Sequence, residues 1–152
     1  TVVHVETALE MRDAVTAQCE DTDALIMAAA VADWRSAEVA DHKLKKGSAK
    51  TMTIEMVKNP DIVAEVKRDG LIKVGFAAES EDLETNARAK LHSKRLHLIA
   101  ANDITAEGSG FGSDTNKVTL IDRDLVVEEL PLLSKYEVSN RILDRVKGLF
   151  KD

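Results

Sequence analysis

Aromatic side chains are scarce in this chain: three Phe, one Trp and one Tyr make up 3% of it. That removes the stacking platform on which single-stranded nucleic acids are held. A lone cysteine, Cys19, excludes an internal disulfide and a cysteine-built zinc site. Seven glycines and two prolines are too few for a linker-rich or collagen-like polymer. Positive charge is in deficit, 21 basic against 27 acidic residues for a net charge of −6, which speaks against a general nucleic-acid binder. No apolar run approaches the roughly 20 residues of a membrane-spanning helix, and no charged-then-apolar leader opens the chain. The expectation is a cytoplasmic protein with neither nucleic acid nor membrane as partner. What is present, 44% hydrophobic and 32% charged residues over 152 positions, suffices for one domain with an aliphatic core. The chain begins at Thr1 in what reads as a strand, so a fragment of a larger domain is expected.

Periodicity divides the chain into alternating strands and helices. Residues 1–5 are β-branched and short, and read as a strand. Thr7, with Glu10 three positions on, can form a capping box for a helix whose Met11, Val15 and Cys19 share one face. DALIMAAAV, residues 23–31, is a continuous apolar run suited to a strand buried on both sides. The lysine-rich HKLKKGSAK and the alternating TMTIEMV that follows it suggest an extended arm or hairpin within residues 36–57. Asn59-Pro60 reads as a helix start, with helix to about Arg68. Strands are expected over 71–77 and 96–101, with a helix over 81–95 between them that buries Leu83, Ala87 and Leu91. A polar loop, NDITAEGSGFGSDTN, carries Phe111, after which residues 118–121 and 125–130 read as a hairpin. The last helix begins near Ser134 and presents Val138, Ile142, Val146 and Leu149. The fold class is α/β: a Rossmann-like three-layer sandwich with a mainly parallel sheet, a lysine-rich flap and a C-terminal antiparallel hairpin, all in one domain over 1–152.

In such sheets ligands collect beyond the carboxyl ends of the strands. Four polar residues are expected there: Asp33, Glu79, Asn102 and Asp103. Any one of them alone reads as a cap or loop group, and their interest lies in convergence. The alanines of AAAVADW permit backbone to approach a ligand closely. Lys43, Lys45 and Lys46 concentrate charge on the arm, with Lys43 and Lys45 on one side if it is extended. Lys90 and Lys94 are neighbours on a helix, a repulsion of a few tenths of a kcal/mol unless an anion or acid offsets it. No GxxxxGK[ST] occurs, and GSGFG lies between strands, so neither a P-loop nor a dinucleotide fingerprint is present. Cys19 on a buried stripe reads as a packed thiol. His4, His42, His92 and His97 have no ligand spacing.

Taken in order, MAAAVADW (27–34), KLKK (43–46), KNPDIV (58–63), VGFAAES (74–80), the Lys90 and Lys94 pair, and AND followed by Phe111 and SDTN resemble bacterial phosphopantothenoylcysteine synthetase, or phosphopantothenate–cysteine ligase. In bacteria this is often the carboxy-terminal half of a bifunctional coenzyme A biosynthesis protein. The resemblance implies two steps: CTP converts the carboxylate of 4′-phosphopantothenate to an acyl-cytidylate with loss of pyrophosphate, then the amine of cysteine displaces CMP. It implies CTP contacts at Met27, Ala28, Ala29, Asp33, Lys43, Pro60, Asp61, Ile62, Val63, Phe76, Lys90 and Lys94, with Mg2+ met by Asp33. Catalytic roles fall to Lys43, Ala29 and Asn102, with Lys43 on a flap that closes over the intermediate. FMN is implied only if a decarboxylase domain is fused upstream. A homodimer is implied, the arm of one subunit reaching its neighbour's site.

The family's Gly/Ser-rich amino-terminal loop has no counterpart in these 152 residues, so weak nucleotide binding and slow or no turnover are expected of them alone. Ser80 and Leu44 are mild departures. The alternative function is a non-catalytic nucleotide-binding or dimerisation fragment. A nicotinamide-dependent oxidoreductase lacks its glycine fingerprint.

Overall fold

The computed structural model describes residues 1–45, 50–109 and 112–150. Lys46 and Phe111 lie outside the described residues. Helix α1 (Ala8–Gln18) starts at the expected capping box: Thr7 Oγ1 accepts from the Glu10 amide, and the Glu10 carboxylate accepts from the Thr7 amide. The backbone amide of Glu6, which also donates to this carboxylate, and then that of Thr7 hold the Glu10 carboxyl below its ordinary pKa. Residues 1–5 do not form the expected strand. A strand needs a ladder partner, and β1 (Ala24–Met27) pairs with none of these residues. Val3 and Val5 instead line a hollow over Met11, Val15, Cys19 and Leu25. Strands β2 (Trp34–Ser36) and β3 (Met56–Lys58) pair antiparallel at the base of the arm, Trp34 opposite Lys58.

Helix α2 (Ile62–Glu65) is shorter than expected and is capped by Asp61, whose carboxylate accepts from the Ala64 amide. Asn59 is not the cap. Its amide nitrogen donates instead to the Ala32 carbonyl at 2.8 Å, tying the entrance of α2 to the loop after β1. The remaining elements are β4 (Ile72–Glu79), α3 (Leu83–Ser93), β5 (Leu98–Asp103), β6 (Thr115–Asn116), β7 (Val118–Asp122), β8 (Val127–Glu129), β9 (Leu133–Ser134) and α4 (Lys135–Leu149).

The main sheet has the order β1-β4-β5-β7-β8. β1, β4 and β5 are parallel; β7 and β8 are the expected antiparallel hairpin. Side-chain alternation divides the core between the two faces of this sheet. Leu98 and Ala100 of β5 join Ile72, Val74, Val118 and Leu120 beneath Val138, Ile142 and Val146 of α4. Ile99 and Ala101 join Ala77 and Ile121 beneath Ala87 and Leu91 of α3, Ile62 and Val63 of α2, and Met11 and Val15 of α1. No helix among the described residues is long and apolar enough to cross a membrane.

Candidate functional site

The carboxyl ends of β1 and β4, the entrance of α2 and one face of α3 surround a hollow of about 280 Å3. Each wall has a local cause. β1 ends at Met27, and the small side chains of Ala29, Ala30 and Ala32 leave the following backbone close to the hollow. Asp33 follows, held by the Asn59 amide donating to its carbonyl at 2.7 Å. Pro60, Asp61, Ile62 and Val63 form the opposite wall, and Lys90 and Lys94 enter from α3. The floor is Gly75, Phe76, Leu96 and Ile99. A Cβ built on Gly75 would come within 2.6 Å of Leu96 Cδ1, so glycine here admits Leu96 beneath the hollow.

A second hollow, of about 400 Å3, opens on the opposite face of the sheet. Ala28, Ala78, Asn102, Asn116, Lys135 and Ser139 are among its lining residues. Ala29, Ala30 and Phe76 line both hollows, which therefore meet around the ends of β1 and β4.

The structure gathers Met27, Ala29, Asp33, Pro60, Asp61, Ile62, Val63, Phe76, Lys90 and Lys94 about the first hollow, although they span much of the chain. Ala28 and Asn102 belong to the second. Lys43, exposed on the arm, lines neither. The expected convergence of four polar residues is partial. Glu79 turns to Lys90, its oxygen 2.6 Å from Nζ, and Asp103 is taken up in its own turn by the amide and hydroxyl of Thr105. These Thr105 bonds depress the Asp103 pKa.

The Lys90–Lys94 repulsion has an internal answer. Glu79 offsets the first charge and Asp61, with Oδ2 at 3.1 Å, the second. A ligand anion therefore meets lysines that are already paired and must share or displace those carboxylates. Asp61 spends one oxygen on the α2 cap and the other on Lys94, so a ribose hydroxyl would be an additional partner rather than its sole one.

Among the described residues no three His, Cys, Asp or Glu side chains gather to hold a metal ion. Asp33, exposed at the rim, fits a magnesium ion that arrives on a triphosphate and needs only one protein carboxylate. Cys19 is buried with Val66 and Leu71, and burial raises its thiol pKa, as a packed thiol requires.

One group near the site is absent from the sequence expectations. Lys73 on β4 is 6% exposed, and its ammonium donates to the carbonyls of Val63, Val66 and Lys94 at 3.1, 3.2 and 2.8 Å. Burial, then the Arg95 charge, pushes it below the ordinary lysine range. Its backbone N–H donates to His97 Nδ1 at 3.0 Å. The available signal was a lysine within the apolar run LIKVGF, flanked by residues of a doubly covered strand.

The sequence matches, over residues 1–149, the family described as DNA/pantothenate metabolism flavoprotein C-terminal domain. It is 45% identical over 151 residues to the coenzyme A biosynthesis bifunctional protein CoaBC of Bacillus subtilis, covering 98% of this chain and 37% of that protein. Against the protein of the same name from Vibrio vulnificus (strain YJ016) the identity is 48%, with 97% and 37% covered. The chain thus spans little more than a third of the length of these curated relatives. A crystal structure of the C-terminal domain of coenzyme A biosynthesis bifunctional protein CoaBC superposes with a TM-score of 0.81 at 36% identity, covering all of this chain and 69% of that one. The Rossmann-like mixed sheet with a mainly parallel core is therefore shared with that domain, and the chain belongs to the DNA/pantothenate metabolism flavoprotein C-terminal domain family.

Proposed function

We propose that the chain carries the CTP-dependent ligation of 4′-phosphopantothenate to cysteine in coenzyme A biosynthesis. The observation that carries this reading is the pair of hollows meeting at Ala29 and Phe76, one edged by Asp33, Lys90 and Lys94, the other by Asn102 and Lys135. A nucleotide suits the first, where two ammonium groups can offset phosphate charge. An acyl chain suits the second, which has more apolar lining. The reacting atoms would then meet over the alanine backbone between them.

In the first step a carboxylate oxygen of 4′-phosphopantothenate attacks the α-phosphorus of CTP, and the bond to pyrophosphate breaks. Lys90 and Lys94 would offset the charge that collects on the departing pyrophosphate, and Asp33 is the carboxylate that would hold a magnesium ion, whose chemistry there would be to neutralise phosphate charge. In the second step the amine of cysteine attacks the acyl carbon, CMP leaves with the acyl bond's electron pair, and the amine proton passes to solvent. Backbone at Ala29 and the Asn102 amide are suited to hold the acyl-cytidylate between the steps. Lys43 reaches this point only if the arm moves or a neighbouring subunit supplies it. Met52, Ile54 and Met56, all exposed and alternating along the returning arm, support a homodimer built through it. The relatives are bifunctional by name, and an FMN-dependent decarboxylase is proposed for the other part of such a protein.

The test is CTP-dependent pyrophosphate release and amide formation by the full-length protein containing this chain. Asp33→Asn is expected to slow pyrophosphate release, and Lys43→Gln to impair amide formation more than pyrophosphate release. Unchanged rates in both variants would remove the assignments. Sedimentation of a Met52→Glu, Ile54→Glu variant reads the dimer, which is expected to dissociate.

A further inference from the structure

Lys73 has no carboxylate within ion-pair distance among the described residues. A buried ammonium without one is unusual, and its three donors are all committed to backbone carbonyls. Those carbonyls are not random. Val63 and Val66 belong to the last turn and C-cap of α2, and Lys94 is the C-cap of α3. Helix C-termini expose carbonyls that lack an intrahelical partner and carry partial negative charge, which a cation satisfies. One side chain therefore sews together the carboxyl ends of two helices that touch β4 from the same side.

The same two helices supply the ion pair in the wall of the hollow: Asp61 caps the beginning of α2, and Lys94 closes α3. α2 is only four residues long, too short to hold its own orientation by helix propagation. Gly75 in the floor lies two residues beyond Lys73 on the same face of β4, so the ammonium sits beneath the hollow's wall rather than in its opening. The 2.8 Å bond to the Lys94 carbonyl fixes the backbone from which that residue's ammonium projects.

We infer that Lys73 is a positioning residue: by bridging the carboxyl ends of α2 and α3 it holds Lys94 against Asp61 in the wall of the hollow and so sets the hollow's affinity for a nucleoside triphosphate. The second half of this statement rests on the nucleotide reading given above; the first half does not.

The experiment uses the full-length protein, the single variants Lys73→Met, Lys73→Arg, Asp61→Asn and Lys94→Gln, and the double variant Lys73→Met, Lys94→Gln, each checked for folding by circular dichroism. The first readout needs no nucleotide: the Lys94 side-chain nitrogen signal in NMR, with Asp61→Asn marking its position when the pair is broken. Lys73→Met is expected to move that signal toward the Asp61→Asn position, and Lys73→Arg, which keeps a buried cation, to move it less. A signal left in place by Lys73→Met would overturn the inference. The second readout is magnesium-CTP binding by calorimetry. Lys73→Met is expected to weaken it about tenfold, the size of losing one charge-assisted hydrogen bond, and to add nothing further in a Lys94→Gln background. Additive losses would overturn the positioning role. Absence of CTP binding by the unaltered protein would sink the nucleotide reading, with Lys73's hold on the ion pair still decided by the lysine signal.

Discussion

The two faces of the main sheet are covered in different ways. One lies under a single 15-residue helix, α4, whose Val138, Ile142 and Val146 meet strand residues that are all aliphatic. The other lies under α1, α2 and α3, of 11, 4 and 11 residues. The long amphipathic helix covers most of its face with its own side chains, and the larger hollow opens beside its first two turns. Three short ones end over the sheet, leaving terminal carbonyls to be satisfied by a buried lysine and a gap at the strand ends where the charged hollow opens. The charged hollow on this face and the buried lysine beside it thus share one cause, the shortness of the elements above them.

The sharpest way to break this comparison is to damage the α4 face. Leu120 is fully buried there, and Leu120→Ala is expected to cost about 2–5 kcal/mol of stability through lost burial and the cavity left behind. Ligand affinity of the molecules that remain folded is expected to hold, because Leu120 lines neither hollow. Denaturant unfolding and CTP titration on the same samples separate the two effects. An affinity loss matching the stability loss would show that the faces are not independent.

Gly75→Ala is the counterpart on the other face. Its added methyl meets the end of the Leu96 side chain, itself buried, and overpacking of this kind costs about 1–3 kcal/mol. Since both residues floor the hollow, affinity for magnesium-CTP is expected to fall together with stability. Equal affinity in the variant and the unaltered protein would contradict the placement of the ligand.

How much of this was legible in the sequence follows the same division. The α4 face depends on residue type and period: the aliphatic runs of β4 and β5 and the stripe through Val138, Ile142 and Val146 were expected and are found. Capping was legible at Thr7 and Glu10 for the same reason, since its partners are three residues apart. Lys73 was not, because its partners Val63, Val66 and Lys94 are carbonyls, which every residue has, brought near only by the fold. Asn59 misled because Asn-Pro suits a cap locally, while here its side chain reaches Ala32, far earlier in the chain. Residues 1–5 have strand character but pair with no strand among the described residues, and composition cannot supply that pairing. The gathering of Asp33, Asp61, Lys90 and Lys94 was anticipated through the family resemblance; the carboxylates already paired with the two lysines were not.

A smaller effect is expected at the rim of the α4 face. Arg145 donates to Asp122 at 2.5 Å and to Glu128 at 3.0 Å, clasping α4 to the β7–β8 hairpin. Asp122 also accepts from the amides of Asp124 and Val126, so it shapes the turn as well as the clasp. All three side chains retain some solvent contact. Arg145→Met is therefore expected to cost about 1–2 kcal/mol, discounted for that exposure, with most of the loss screened away in high salt in the unaltered protein. A salt-insensitive difference between the two proteins would assign the role of Arg145 to the packing of its stem.

The smallest effect tests the polar face through pH. His97 Nδ1 accepts the Lys73 N–H, which requires the ring to be unprotonated at that nitrogen. Burial lowers its pKa first, and the charges of Arg123 and Lys73 act in the same direction. The unfolded chain therefore takes up this proton at a higher pH than the folded one. The resulting stability is fully present above the ordinary histidine value of 6.5 and is lost as pH falls through the folded value. His97→Asn keeps an acceptor near the position of Nδ1 but cannot titrate. Between about pH 8 and about pH 5 the unaltered protein is expected to lose more stability than the variant, the loss setting in below the ordinary histidine value. Glu10, Glu137 and Asp103, whose carboxyls are held below their ordinary values, titrate alike in both proteins and cancel in the difference. A difference that stays constant across this range would mean that folding does not lower the His97 pKa, and the polar face would then be no more sensitive to acid than the aliphatic one.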